Sequence, residues 1–380
     1  MVSIRRHCGC AHGVVQLPTS TIESRPAWAL AVRLLLRAAK FLRLGALHPL
    51  QKILPIMMIK VIPAPPPFDR PEADIILRSS DKEPVDFRVF KILLSLSSLF
   101  FADLFSLPQP STPYACSDEC VDGMRTPVMQ VAETAETLRV LLGFCFPISA
   151  HELPRLTSFE EIQRIAEAAS KYEMIGIIKH LKIELLAPRF VESQPLRAFA
   201  IAHRYGWDAE ARKAARYTLR HPIEAPFMSE LELISGATLH RLQDYHRTCG
   251  EVASSRALLQ LAIVDYNDEW EWLRCTFCAV AGDKRGQHSR GPRQWWTEWI
   301  EEVAEALRQR PWGEVVRKYD LMQNVEQRIV NCQTCKAQGP GQLEVFAQML
   351  AAQVERDISK VALELKFDDW SQCSLPLDPD

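Results

Sequence analysis

Apolar residues alternate with polar ones in two short stretches, first Ile75 and Leu77, then Val85, Phe87 and Val89. That period of two predicts a pair of half-buried strands, with "SSDKEP" as the turn between them. From Lys91 to Phe105 the period becomes helical, and Leu94, Leu96, Phe100, Phe101, Leu104 and Phe105 are too many for one stripe. One helix buried on most sides is expected there. The proline-broken "SLPQPSTPYACSDECVDGMRT" reads as a loop, "PVMQV" as a short strand, and "TAETLRVLLGFCF" as a helix stopped by Pro147.

After Thr157 nearly every pattern is helical. Ser158 and Glu161 make a capping-box signature ahead of Ile162, Ile165 and Ala169. Further helices are predicted at 174–186, 195–206, 208–220 and 228–246, with breaks at Pro188, Pro195 and Pro222 and a junction at Trp207-Asp208. From residue 251 the chain stays helical. A segment ends near Trp272, and the basic loop "GDKRGQHSRGPR" follows. "QWWTEWIEEVAEAL" then places Trp296, Ile300, Val303 and Leu307 on one stripe. Val315, Tyr319, Met322, Val325 and Ile329 make a second stripe. A long helix at 342–366 carries Leu343, Phe346, Leu350, Val354, Ile358, Val361 and Leu365. No self-similarity appears at a period of roughly 20–50 residues. The pattern predicts an α+β domain followed by a mainly α-helical C-terminal region.

Composition narrows the function classes. The chain has 380 residues, 47% hydrophobic and 24% charged, enough for two or three domains with cores of their own. Its net charge of −2 is unevenly spread. Residues 1–68 hold nine Lys or Arg and one acid, Glu23, which leaves about −10 on the remainder. An acidic body is a poor partner for phosphate backbones, so nucleic-acid binding is not expected. No run of about 20 uncharged apolar residues is present, so no membrane span is expected either. Arg33, Arg37, Lys40 and Arg43 interrupt the apolar N-terminal run, unlike a signal peptide. The basic extension, residues 1–66, has three readings: a mitochondrial targeting helix, a surface helix, or a dispensable or mis-assigned segment ahead of Met57-Met58. Pro65-Pro66-Pro67 reads as a stiff linker. Eleven cysteines read as reduced thiols or metal ligands, which suits the cytoplasm or nucleus.

The chemistry-bearing motif is a pair of CxxC sequences. Cys275-Thr-Phe-Cys278 and Cys332-Gln-Thr-Cys335 are separated by 53 residues. Four thiolates could hold zinc tetrahedrally if antiparallel helices brought both pairs together at their C-terminal ends. Buried reduced cysteines and a thiol redox pair are the alternatives. Zinc is therefore the one cofactor in view. Other enzyme signatures are missing: there is no Gly-rich phosphate loop and no G-x-S-x-G, and His151-Glu152 lacks a second histidine. Trp295, Trp296 and Trp299 read as core, and Glu301, Glu302 and Glu305 as a solvated face. A non-enzymatic protein is expected.

The order strand, turn, strand, "DFRVFKILLSLSSLFFADLF", strand, helix and paired helices resembles the BTB/POZ domain. The matching residues are Asp74, Phe87, Val89, Lys91, Leu94, Ser98, Phe100 and Phe101, while Phe90 stands where the family has histidine. "RPEADIILRSSD", "FFADLFSLPQP" and "EAASKYEM" are similar to a large group of fungal BTB-domain proteins. The resemblance covers residues 67–188, with the helices of 189–250 as an extension and 251–380 as a C-terminal helical domain holding the CxxC pairs. It implies a protein-association module that forms homodimers through its first helix and strand, with Asp74, Lys91, Leu94, Phe100 and Phe101 at the dimer pocket. The alternative leaves Leu96, Leu99 and Leu104 filling a monomer's core. Cullin-type ligase recruitment in the family uses a hydrophobic-x-Glu motif, and here Phe105 is followed by "SLPQP" with no glutamate. The chain is thus expected to be a self-associating adaptor or regulator. A zinc-stabilised nuclear regulator or ubiquitin-ligase substrate adaptor is the alternative, and a thiol redox protein a third.

Overall fold

The predicted hairpin forms and becomes the centre of a small sheet. A computed structural model describes residues 60–107, 126–147, 149, 152–224, 226–262, 269–282 and 291–367. The basic N-terminal helix, the proline-rich loop, His151 and most of the basic loop after Trp272 lie outside the described residues. Strands β1 (Ile62–Pro63), β2 (Ile75–Arg78), β3 (Val85–Val89) and β4 (Val128–Gln130) form one four-stranded sheet in the order β1-β3-β2-β4. β2 and β3 are antiparallel with Leu77 opposite Phe87, and β4 adds to β2 in parallel. Arg78 and Asp86 face each other across the hairpin and make a bidentate ion pair of 2.7 and 2.9 Å, the strong form of a cross-strand charge pair. β1 lies within the segment read as extension, yet it pairs in parallel with β3 and Ala64 beside it is buried.

The helix expected across 91–105 is two helices. α1 (Lys91–Ser97) ends at Ser98, whose backbone is extended, and α2 (Leu99–Ser106) starts anew. Ser98 Oγ accepts a 3.1 Å bond from the Phe101 amide and donates one of 2.5 Å to the Tyr172 carbonyl. The hydroxyl therefore caps the second helix and ties the break to a residue 74 positions away. α3 (Ala135–Gly143) follows β4, with Leu138, Leu141 and Leu142 buried against the sheet's core.

The helical region begins with α4 (Phe159–Lys171) and α5 (Ile175–Leu185). Ser158 caps α4 through the Glu161 amide at 3.2 Å, and Glu161 reaches back to the Thr157 amide at 2.8 Å, close to the capping box expected. α6 (Pro188–Val191), α7 (Pro195–Arg204) and α8 (Asp208–Thr218) follow, and both prolines open a helix, where a missing N–H costs nothing. The helix expected at 228–246 is instead a 3₁₀ turn, Ser229–Leu233, then the 27-residue α9 (Gly236–Ala262), which Ser235 caps through the Thr238 amide. α10 (Glu271–Arg274), α11 (Gln294–Gln309), a 3₁₀ turn (Gly313–Arg317), α12 (Tyr319–Ile329) and α13 (Gln333–Ile358) complete the fold. α9 and α11 pack together most extensively, and a Cβ on Gly250 would stand 2.5 Å from the Arg308 carbonyl oxygen. Glycine is what lets the two backbones approach there.

The long terminal helix begins nine residues before its expected start and runs through Pro340. Its buried positions, Cys335, Gly339, Leu343, Ala347, Leu350, Ala351, Val354 and Ile358, continue one stripe that opens with small residues. The middle helices are tied to this region. His203 Nε2 meets the Lys366 carbonyl at 3.1 Å, Arg212 donates to the Leu363 carbonyl at 2.6 Å, and Arg216 pairs with Glu355 at 2.7 Å. Among the described residues no helix is long and apolar enough to cross a membrane.

Candidate functional site

The four cysteines of the two CxxC motifs converge. Their sulfurs all lie within 4.8 Å of one another, with Cys275 to Cys332 and Cys278 to Cys335 both at 3.6 Å. Sulfurs bound at about 2.3 Å around a tetrahedral ion sit about 3.8 Å apart, close to the separation of these two pairs. A disulfide needs about 2.05 Å, and all four thiols are free. Cys275, Cys332 and Cys335 are buried and Cys278 is half-buried. The four could hold a metal ion.

Their placement differs from the expected one. Cys275 follows the single turn of α10, and Cys278 comes after a bend, so the first pair sits on a knuckle and not in a helix. The knuckle is closed by an antiparallel bridge between Val280 and Arg293. Gly291, at φ +152°, brings the returning strand to within 2.7 Å of Val280 Cγ1 as measured from an added Cβ, so a side chain there would collide. Cys332 is the N-cap of α13 and Cys335 lies in its first turn. The second pair is thus at a helix start, where free amides and the positive end of the helix favour thiolate.

Titration reflects this asymmetry. Burial pushes the Cys278 thiol up to about 12. Burial also opposes charge on Cys332, but the Cys335 amide and the neighbouring thiols donate to it and bring it down to about 7. Cys335 is raised, first by burial and then by its thiol neighbours. Cys145 and Cys249, buried elsewhere, are each raised to about 11 by burial and behave as core residues.

Aromatic packing fixes the knuckle's base. Trp272 is stacked between Trp270, at 4.8 Å between ring centroids, and Trp296, at 5.7 Å. Phe346 of α13 meets Trp270, Trp272, Trp296 and Trp299 edge-on. Trp295, Trp296 and Trp299 are all buried, as a core reading requires, and no open aromatic cage forms from them. Glu302 and Glu305 are engaged by Arg328 and Arg308, on the outer face expected of them.

The second candidate region is the helix pair that follows the hairpin. Asp74 and Lys91 come together, but through the main chain: Asp74 Oδ1 accepts a 2.7 Å bond from the Lys91 amide. The Lys91 ammonium lies 5.8 Å from the centroid of the Phe105 ring. Leu94 and Phe101 are each 1% exposed and belong to the core, and Phe100 is half-buried against Phe101 and Tyr172. Leu94 and Phe101 therefore offer almost no surface in the single chain, whereas Ile92 is 63% exposed, Leu96 77% and Leu99 50%. The reading in which Leu96 and Leu99 fill a monomer's core is thereby overturned, while Leu104 is half-buried. The signal was present in the sequence as an excess of apolar residues for one stripe.

No protein-family model matches the chain, and no curated protein matches it either.

Proposed function

We propose that this chain is a non-enzymatic protein-interaction protein that self-associates through α1 and α2 and carries a zinc-stabilised helical region. The observation that carries the reading is the exposure of three large apolar side chains, Ile92 and Leu96 of α1 and Leu99 at the start of α2, left open beside a well-filled core. Large contiguous apolar patches on a surface mark association sites. Aliphatic side chains can pack against the same side chains of a second copy about a two-fold axis, and a second copy of this chain is the occupant that the homodimer reading names. Support for a BTB/POZ-like unit in residues 67–188 is the strand-turn-strand hairpin, the apolar helices after it, and the α4–α5 pair. The adaptor or regulator role rests on that same resemblance.

Zinc is the metal that suits the cysteine cluster, because four thiolates in tetrahedral spacing favour it over oxygen-seeking cations. With all four positions taken by sulfur, no coordination site is left for water or substrate. The centre would therefore serve stability and not catalysis.

Sedimentation velocity on the full chain tests the association. A dimer is expected for the wild type and a monomer for Leu96→Asp, with unchanged circular dichroism. A wild-type monomer at tens of micromolar would sink the reading. Elemental analysis of the same sample should find one zinc per chain.

A further inference from the structure

Arg293 is 3% exposed, and among the described residues it makes no ion pair. Its Nη1 donates a long 3.5 Å bond to the Cys278 carbonyl, and its Nε has no acceptor. The backbone holds it firmly in this place. The Arg293 amide donates to the Trp272 carbonyl at 2.8 Å, the Gln294 amide to Ala279 at 2.9 Å, and the Ala281 amide to Pro292 at 3.0 Å. Arg293 is thus strapped across both ends of the 275–278 knuckle.

A guanidinium keeps its charge at any ordinary pH, and a buried charge without a counter-charge is costly. No carboxylate among the described residues supplies that counter-charge. A divalent ion held by four thiolates does, because the cluster then carries a net charge of −2. Arginine is also the cation best suited to burial, being weakly hydrated and rich in donors. We infer that the Arg293 guanidinium is the counter-charge of a four-thiolate divalent metal centre, and that it sets the affinity of that centre as a positioning residue. The inference rests on the metal reading above and adds to it a residue that touches no metal.

The test is a cobalt titration of the full chain, read by thiolate-to-cobalt charge-transfer and d–d bands, followed by zinc competition against a chromophoric chelator. Wild type should take up one cobalt with the bands of a tetrahedral thiolate site. Arg293→Gln should keep the band shape but bind roughly 10–100-fold more weakly, the usual cost of losing an outer-shell partner. Arg293→Lys, which retains the charge, should stay within a few-fold of wild type. A purely structural arginine would not be rescued in this way. Equal affinity in Arg293→Gln and wild type overturns the inference while leaving the metal reading intact, and so does Arg293→Lys as weak as Arg293→Gln. If Arg293→Gln folds only with metal, the zinc concentration that restores half the helix gives the same comparison. A variant still unfolded at saturating zinc overturns the inference. A wild-type chain with no cobalt bands overturns both readings.

Discussion

Asp74 and Lys91 are joined by a 2.7 Å bond from the Lys91 main-chain amide to the Asp74 carboxylate, and the lysine's charge takes no part in it. The N-cap of α1 is Phe90, which offers no side-chain acceptor, so the first turn is capped from the hairpin instead. The bond couples strand entry to helix start, two elements that the sequence separates by 17 residues.

Two substitutions separate capping from charge pairing at this position. Asp74→Ala should lower stability by about 1 kcal/mol, the ordinary value of an N-terminal cap. Lys91→Met, which loses only an ammonium near the Phe105 ring, should cost about 0.5 kcal/mol or less. Urea unfolding midpoints measure both. Equal losses would mean that the two charges interact after all.

Ser98→Ala removes a buried hydroxyl that serves as acceptor to Phe101 and donor to Tyr172. Two buried main-chain groups would then lack partners, at a cost of about 1–3 kcal/mol for such orphaned groups. Because the same hydroxyl sets the break that turns Leu99 outward, the variant should also weaken self-association. The check is denaturant unfolding alongside sedimentation. A variant as stable as wild type would show that the break is held by packing alone.

The hairpin and most helices could be read from the chain because a period of two or 3.6 is a local property. The Ser98 break could not, since the apolar sequence runs on through it and its cause is a carbonyl 74 residues away. The start of α13 was hidden for a different reason. Gly339 and Pro340 look like breakers, yet Gly339 is a core position where an added Cβ would meet Ile329 at an ordinary 3.6 Å. At the candidate metal centre, spacing exposed the four cysteines, but not their setting on a knuckle and a helix start. Arg293 was invisible, because a basic residue at the end of a basic loop gives no hint of burial.

Acid should weaken the fold in two steps. His246 is buried with Nε2 2.9 Å from the His221 carbonyl, and burial lowers its pKa below 6.5. The unfolded chain therefore binds a proton that the folded chain refuses. Stability from this site is complete above about pH 6.5 and falls as pH drops toward the folded value, by at most about 1.4 kcal/mol per pH unit. His246→Gln keeps a donor and should flatten the dependence between pH 7 and 5.5. Below about pH 4.5 a second loss should follow, because Glu136, Glu160, Glu344 and Asp357 are all held under their ordinary values by hydrogen bonds and, in different order of weight, by arginine or lysine partners. A histidine variant with the same slope as wild type would point to another group.

Metal removal should act on the whole described unit, since α13 carries two of the cysteines and also packs against α12, α10 and α9. A structural thiolate site contributes its binding free energy to folding directly, so a strong chelator should shift the thermal midpoint down by many degrees. Cys335→Ser places a weaker ligand at a buried helix start and should lose the metal outright. Cys278→Ser, at the half-buried position, should lose the metal as well but unfold less, because its hydroxyl can reach water. Cys145→Ser and Cys249→Ser provide the controls: each should cost some stability through burial of a hydroxyl while leaving metal content at one per chain. If chelation leaves the midpoint unchanged while the four sulfurs still resist alkylation, the cluster is a set of buried thiols. Stability would then depend on their packing and not on any ion.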